Sequence, residues 1–240
     1  LHLRQRLRPR VHRDMAETLN NLALVRHDQG QLADAERLQR EAVSIWEQLA
    51  SPEGGSDLVA LGLTNLGRTV RAQGRTDEAA ALFERALALR RRVLPPNSPR
   101  IATTLHHLGV TRLEAGRPDE AAALLQQAAA NRMETLGPRH PLTLQTRLEL
   151  GRAHGLTGDY GGATREATAV LAAADTGADA AFSMLAEADV ILADAALSAG
   201  RADEARSLVE RARTRYNGRP PAAAVTKDLD RLTSRLETHR

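Results

Sequence analysis

Gly116-Arg117-Pro118-Asp119-Glu120-Ala121, with Leu105-His106-His107-Leu108-Gly109 before it and Leu124-Leu125 and Ala128 after it, is a phrase that the chain states five times. Leu22, Leu66, Leu108, Leu150 and Leu192 are followed eight residues later by Gly30, Gly74, Gly116, Gly158 and Gly200, and thirteen residues later by Ala35, Ala79, Ala121, Ala163 and Ala205. From Gly74 to Gly200 each step is 42 residues, and Gly30 to Gly74 is 44. A period of this size marks a solenoid, in which each unit buries its apolar face only against its neighbours.

Composition agrees. A hydrophobic fraction of 42% in 240 residues is ample for a core, but aromatics at 2% leave it to Leu, Ala and Val at close helix contacts. Lys and Arg number 33 against 30 Asp and Glu, so the net charge is +3 and the field is weak, which opposes nucleic-acid binding. The absence of Cys excludes a disulfide framework and a Cys-based zinc site. No apolar run approaches the roughly 20 residues of a membrane span and no signal segment opens the chain, so a cytoplasmic protein is expected.

Helices are expected in pairs, giving five units at about 14–49, 56–93, 98–135, 141–174 and 179–215. The glycine between the partners of a pair can end one helix in the left-handed conformation, and the acids of Asp77-Glu78, Asp119-Glu120 and Asp203-Glu204 suit the positive end of the next. Gly-Arg-x-Asp-Glu-Ala is thus a turn. Between pairs, Pro95-Pro96-Asn97-Ser98-Pro99, Gly137-Pro138-Arg139-His140-Pro141 and the loop Ser51-Pro52-Glu53-Gly54-Gly55-Ser56 stop one helix and start another. Leu1 to Arg8 lies without a gap on Leu87 to Leu94, which predicts the end of a severed second helix at residues 1–8. Small residues Ala23, Gly67, Gly109, Gly151 and Ala193 are expected to face Ala35, Ala79, Ala121, Ala163 and Ala205. Leu19, Leu63, Leu105, the Leu22 series, Phe83, Leu125 and Val209 supply bulk.

Leu19-Asn20-Asn21-Leu22-Ala23, then Asp28-Gln29-Gly30-Gln31, Ala35-Glu36 and Leu136-Gly137-Pro138-Arg139-His140-Pro141, resemble the tetratricopeptide repeat (TPR), in the 42-residue form of kinesin light chain and its bacterial relatives. The resemblance covers about residues 1–215 and implies an all-α, right-handed superhelical solenoid of helix-turn-helix repeats. Arg26, Val70, Arg112 and His154 replace the aromatic usual near the end of the first helix. Arg147 and Asp189 stand where that helix normally presents a large apolar residue. After Tyr216-Asn217-Gly218-Arg219-Pro220-Pro221 the pattern stops, and Val225, Leu229, Leu232 and Leu236 mark an amphipathic capping helix at about 221–238.

No phosphate loop, dinucleotide fingerprint, HExxH, GxSxG or cysteine nucleophile is present, so no catalytic, cofactor or metal residues are expected. His106 and His107 are adjacent on a helix and point about 100° apart, which suits a single metal ion poorly. The resemblance implies a concave groove lined by first helices, with Asn20, Asn21, Asn65, Arg68, Arg71, Thr103, His107, Gln145, Glu149 and Arg152 turned into it. In the family an Asn before the recurring Leu often grips the backbone of an extended peptide, and Asn21 and Asn65 match that place. Glu17, Leu61, Thr103 and Gln145 occupy the positions of lysines that some relatives use to clamp a C-terminal carboxylate, which disfavours a chaperone-tail receptor. The favoured partner is a protein or peptide bound by a scaffolding or sensing part of a larger bacterial regulator. A self-assembling surface at the open N-terminal repeat and a helical-repeat nucleic-acid binder are the alternatives.

Overall fold

The structure, a computed structural model, describes residues 2–50, 56–174, 179–216 and 223–238. Leu1, the linker residues 51–55 and the expected break at 217–221 lie outside the described residues. Two compact units divide the chain, Leu1–Arg117 and Pro118–Arg240.

The first unit holds α1 (His2–Asp28), α2 (Leu32–Leu49), α3 (Ser56–Ala72), α4 (Thr76–Val93) and α5 (Pro99–Glu114). Each helix packs on the next, and the first helices α1, α3 and α5 also touch in sequence. Gly30 and Gly74 end their helices at φ 75° and 82°, the left-handed conformation expected of them. At Gly74 the closing bonds run from Gly74 N to Arg71 O at 2.8 Å and from Arg75 N to Val70 O at 3.2 Å. Ser98 then caps α5 by accepting from Arg100 N, with Pro99 in the first turn where its missing N–H costs nothing.

One expected boundary is absent. Instead of a severed helix at 1–8 followed by a new one at 14, α1 runs unbroken from His2 through Pro9 to Asp28. Residues 10–13, Arg-Val-His-Arg, contain no glycine and no Ser, Thr, Asp or Asn to break a helix. The core of this unit forms on Ala16, Ala42, Val43, Trp46, Val59, Ala60, Leu63 and Ala86. Phe83 is fully buried over Gly67, where a Cβ would stand 2.8 Å from the ring. The expectation that the whole Leu22 series is core fails at its first member: Leu66 and Leu108 are 2% and 3% exposed, but Leu22 is 43% exposed.

The second unit holds α6 (Pro118–Leu136), α7 (Pro141–Thr157), α8 (Tyr160–Ala173), α9 (Asp179–Ser198), α10 (Ala202–Tyr216) and α11 (Ala223–Glu237). His140 caps α7 through Nδ1 accepting from Leu142 N at 3.2 Å, and Asp159 caps α8 through Oδ1 accepting from Gly162 N at 2.8 Å. The two departures from apolar residues are resolved by ion pairs between the partners of a helix pair. Arg147 of α7 meets Glu166 of α8 at 3.2 Å, and fully buried Asp189 of α9 meets Arg211 and Arg215 of α10 at 2.5 and 3.2 Å. Val225, Leu229, Leu232 and Leu236 of α11 close over Val190, Ala193 and Leu197 of α9 and Leu208, Val209 and Ala212 of α10. This is the capping helix that the sequence predicts. All elements among the described residues are helical.

Candidate ligand-binding face

In the first unit the predicted residues sit on α1, α3 and α5, and the contacts between these helices use several of them. Asn65 Nδ2 donates to Asn20 Oδ1 at 2.9 Å, and both side chains are buried at 8% and 5% exposure. That corrects the expectation that Asn65 is an open groove residue. Its amide belongs to the contact between first helices, where an unpaired amide would cost about 1–3 kcal/mol. His27 Nδ1 lies 3.1 Å from Thr69 Oγ1 along the same seam. Burial first, and then the charge of Arg68, hold that imidazole below its ordinary value, against a smaller opposing pull from Asp28. A neutral His27 therefore accompanies the bond near pH 7.

Further along, Arg71 Nη1 reaches Glu114 Oε1 of α5 at 3.2 Å. Thr103 Oγ1 donates to Pro99 O at 3.0 Å, so it is partly committed to its own helix. The His107 ring stacks on Phe83 with centroids 5.7 Å apart. What stays open on this face is Asn21, which is exposed, and Arg68, which is half-buried and has no ion pair among the described residues. Leu61, seven residues before Arg68 on α3, is 38% exposed.

In the second unit Gln145 is exposed, whereas Glu149 and Arg152 are engaged. Arg152 Nη1 lies 3.1 Å from Glu149 Oε2, and its Nε lies 3.3 Å from Asp228 Oδ2 of α11. The same helix holds α9 through Arg231 and Arg235, which meet Asp194 at 3.3 and 2.6 Å, and through Arg235 Nη2 to Ser198 Oγ at 3.3 Å. Glu187 of α9 borders this cluster. Burial first, then the neighbouring Glu149, push its carboxyl up to about 7 against the pull of Arg152. Tyr216, buried beside it, is pushed up to about 12 by burial and by Glu187.

Sequence reading missed Glu187, Asp194 and Asp228. The register held a signal, since Glu187 and Asp194 lie 42 residues after Gln145 and Arg152. Among the described residues no group of three or more His, Asp or Glu side chains could hold a metal ion. No described helix is long and apolar enough to cross a membrane.

Models described as tetratricopeptide repeat match residues 14–92, 57–134, 100–175 and 186–211. No curated protein matches the sequence. Among solved structures, the kinesin light chain TPR-like repeats of Podosopora anserina are similar at 25% identity and a TM-score of 0.73, over 85% of this chain and 96% of that one. BtubC (BKLC) from P. vanneervenii gives 22% identity and a TM-score of 0.73, over 88% of this chain and 84% of that one. A Rap protein complexed with competence and sporulation factor gives 17% identity and a TM-score of 0.61, over 95% of this chain and 66% of that one. The fivefold phrase, the packed helix pairs that it builds and the matches spanning residues 14–175 have one explanation: the chain belongs to the tetratricopeptide repeat family.

Proposed function

We propose that the chain is a non-catalytic interaction module of a cytoplasmic bacterial regulatory system, and that it binds an extended, acidic peptide along the first helices of its first unit. The family is generally one of protein-interaction scaffolds, and the Rap relative was solved with competence and sporulation factor bound. The observation that carries the reading is a contrast among the first-helix residues. Asn20, Asn65, Arg71 and His107 are used between helices, while Asn21 and Arg68 are left for a visitor. An amide donates to a carbonyl and accepts from an N–H at once, which suits a main chain, and a guanidinium on the next first helix selects a carboxylate. Leu61 adds an apolar rest.

The test is a peptide array probed with the intact protein, followed by titration of one selected peptide at two ionic strengths. Asn21→Ala with Arg68→Ala is expected to weaken it roughly 5- to 150-fold, at about 0.5–1.5 kcal/mol for each lost bond, with the Arg68 share shrinking at high salt. Equal binding by the double variant, with helix content unchanged, would sink the assignment. A steep fall of affinity for oligonucleotides with salt would favour the nucleic-acid alternative instead.

A further inference from the structure

Glu187 is an exception among the inward acids of the second unit. Six described acids there are buried or half-buried, Glu149, Glu166, Glu187, Asp189, Asp194 and Asp228, and five of them hold an arginine. Arg152 serves Glu149 and Asp228, and Arg147 serves Glu166. Arg211 and Arg215 serve Asp189, and Arg231 and Arg235 serve Asp194. Glu187 has no ion pair among the described residues, and its side-chain hydrogen bond comes from Ser183 Oγ, an exposed hydroxyl one turn earlier on α9, at 3.3 Å.

A second group at the same place is also incomplete. Tyr216, the last residue of α10, is 8% exposed and packs in one core cluster with Ala186 and Val190, one residue before and three after Glu187. Its hydroxyl is closed to water and has no hydrogen-bond partner. Glu187 and Ser183 are the groups whose charge and hydroxyl act on it. Buried hydroxyls are nearly always bonded, so one left over marks a place where a polar partner is missing.

The two openings call for the same visitor. Ser183, Glu187 and Tyr216 bring together a carboxylate and two hydroxyl oxygens, all able to accept, while the nearby Arg152 is taken up by Glu149 and Asp228. A primary ammonium carries a compact charge and three N–H donors, one for each of these groups, on a flexible stem. The planar fork of a guanidinium suits a single carboxylate better, as Arg211 and Arg235 show in this unit. Local charge selects the same sign, because Arg152 is shared between Glu149 and Asp228 and leaves Glu187 uncompensated.

We propose that Ser183, Glu187 and Tyr216 form a site for a primary ammonium group, presented as the lysine side chain of a partner peptide. The ammonium pairs with the Glu187 carboxylate and donates to the two hydroxyl oxygens. The site uses none of the residues assigned to the acidic peptide, so either reading can fail without the other. Burial and Glu149 hold the empty Glu187 carboxyl at about 7, so the incoming cation expels a proton. Lysine stays charged to about pH 10, and binding therefore strengthens as pH rises through 7. The groups that face Glu187 are Glu149 and Arg152 of α7, Tyr216 of α10 and, through Arg152, Asp228 of α11.

The experiment uses the intact chain and, as probe, the peptide acetyl-Ala-Ala-Lys-Ala-Ala-amide, followed by NMR titration of the protein. Saturable binding is expected at pH 8, and at least roughly 10-fold weaker binding at pH 5.5. Glu187→Gln should weaken it at least roughly 10-fold at pH 8 and remove the pH dependence. Tyr216→Phe, which deletes only an unbonded hydroxyl and leaves the fold intact, should weaken it about 3-fold with the pH dependence kept. Asn21→Ala with Arg68→Ala should change nothing. Equal binding of the peptide acetylated on its lysine, the same resonance shifts from potassium chloride, or binding indifferent to Glu187→Gln overturns the proposal. Tighter binding of butylamine than of the peptide overturns the peptide as the source of the ammonium. An ordinary carboxylate value for Glu187 in the free protein that rises with Arg219→Ala also overturns it, since the chain's own arginine then fills the place.

Discussion

A buried amide is only as good as its partner, and Asn65 has one partner that sequence spacing does not point to. Asn20 lies 45 residues away, so the pair is not at the strict repeat distance that links Asn21 to Asn65. Asn65→Ala is expected to cost about 1–3 kcal/mol in urea unfolding, because Asn20 Oδ1 then loses its donor in a site closed to water. Asn21→Ala, on an exposed position, should stay within about 0.5 kcal/mol. An equal loss from both would show that the seam contributes nothing. The two asparagines look alike in the sequence because each precedes the recurring Leu. Their roles diverge because Asn65 has a first helix behind it and Asn21 has none among the described residues.

The helix α11 shows how far element-scale patterning carries. Its apolar spacing identifies the cap, but not that Asp228, Arg231 and Arg235 on the polar side hold Arg152 and Asp194. Charged residues on a solvated helix and charged residues in a clamp are written with the same letters. Glu187 of α9, beside the Arg152 that α11 holds, makes the clamp sensitive to pH. Its folded value of about 7 lies above the ordinary 4.5, so between those values the folded protein holds a proton that the unfolded chain has released. The stabilisation is full below about 4.5 and is lost as pH rises through 7, by up to about 3 kcal/mol for a shift of this size. Glu149 adds negative charge beside it and Arg152, itself paired with Asp228, positive, with Ser183 and Tyr216 the other polar neighbours. Glu187→Gln is expected to be more stable than the native chain at pH 8 and to lose that advantage towards pH 5 in parallel denaturation series. A constant difference across the range would remove Glu187 as the titrating group.

At the scale of the whole chain, the repeat, the turns and the capping helix were legible because periodicity and glycine spacing are set by backbone geometry. Leu22 was misjudged for the opposite reason: a repeat pattern describes a residue's place in its unit and is silent about whether a neighbour lies on it. The ion pair of Asp189 with Arg211 and Arg215 was legible only as an anomaly, since its compensation comes from the partner helix 22 and 26 residues later. One local feature reaches furthest. At Gly74 the backbone has φ 82° and, beyond its chain neighbours, no heavy atom lies within 4 Å of where a Cβ would stand, so the position rejects side chains for their handedness and not for their size. Gly30, Gly116, Gly158 and Gly200 repeat that condition. A residue of the opposite chirality meets it: D-alanine, introduced by chemical ligation, should fit each turn and restrict the unfolded chain, with a gain of about 0.4–1 kcal/mol apiece. A protein of L-residues thus carries, once per repeat, a slot shaped for the mirror image of its own building blocks.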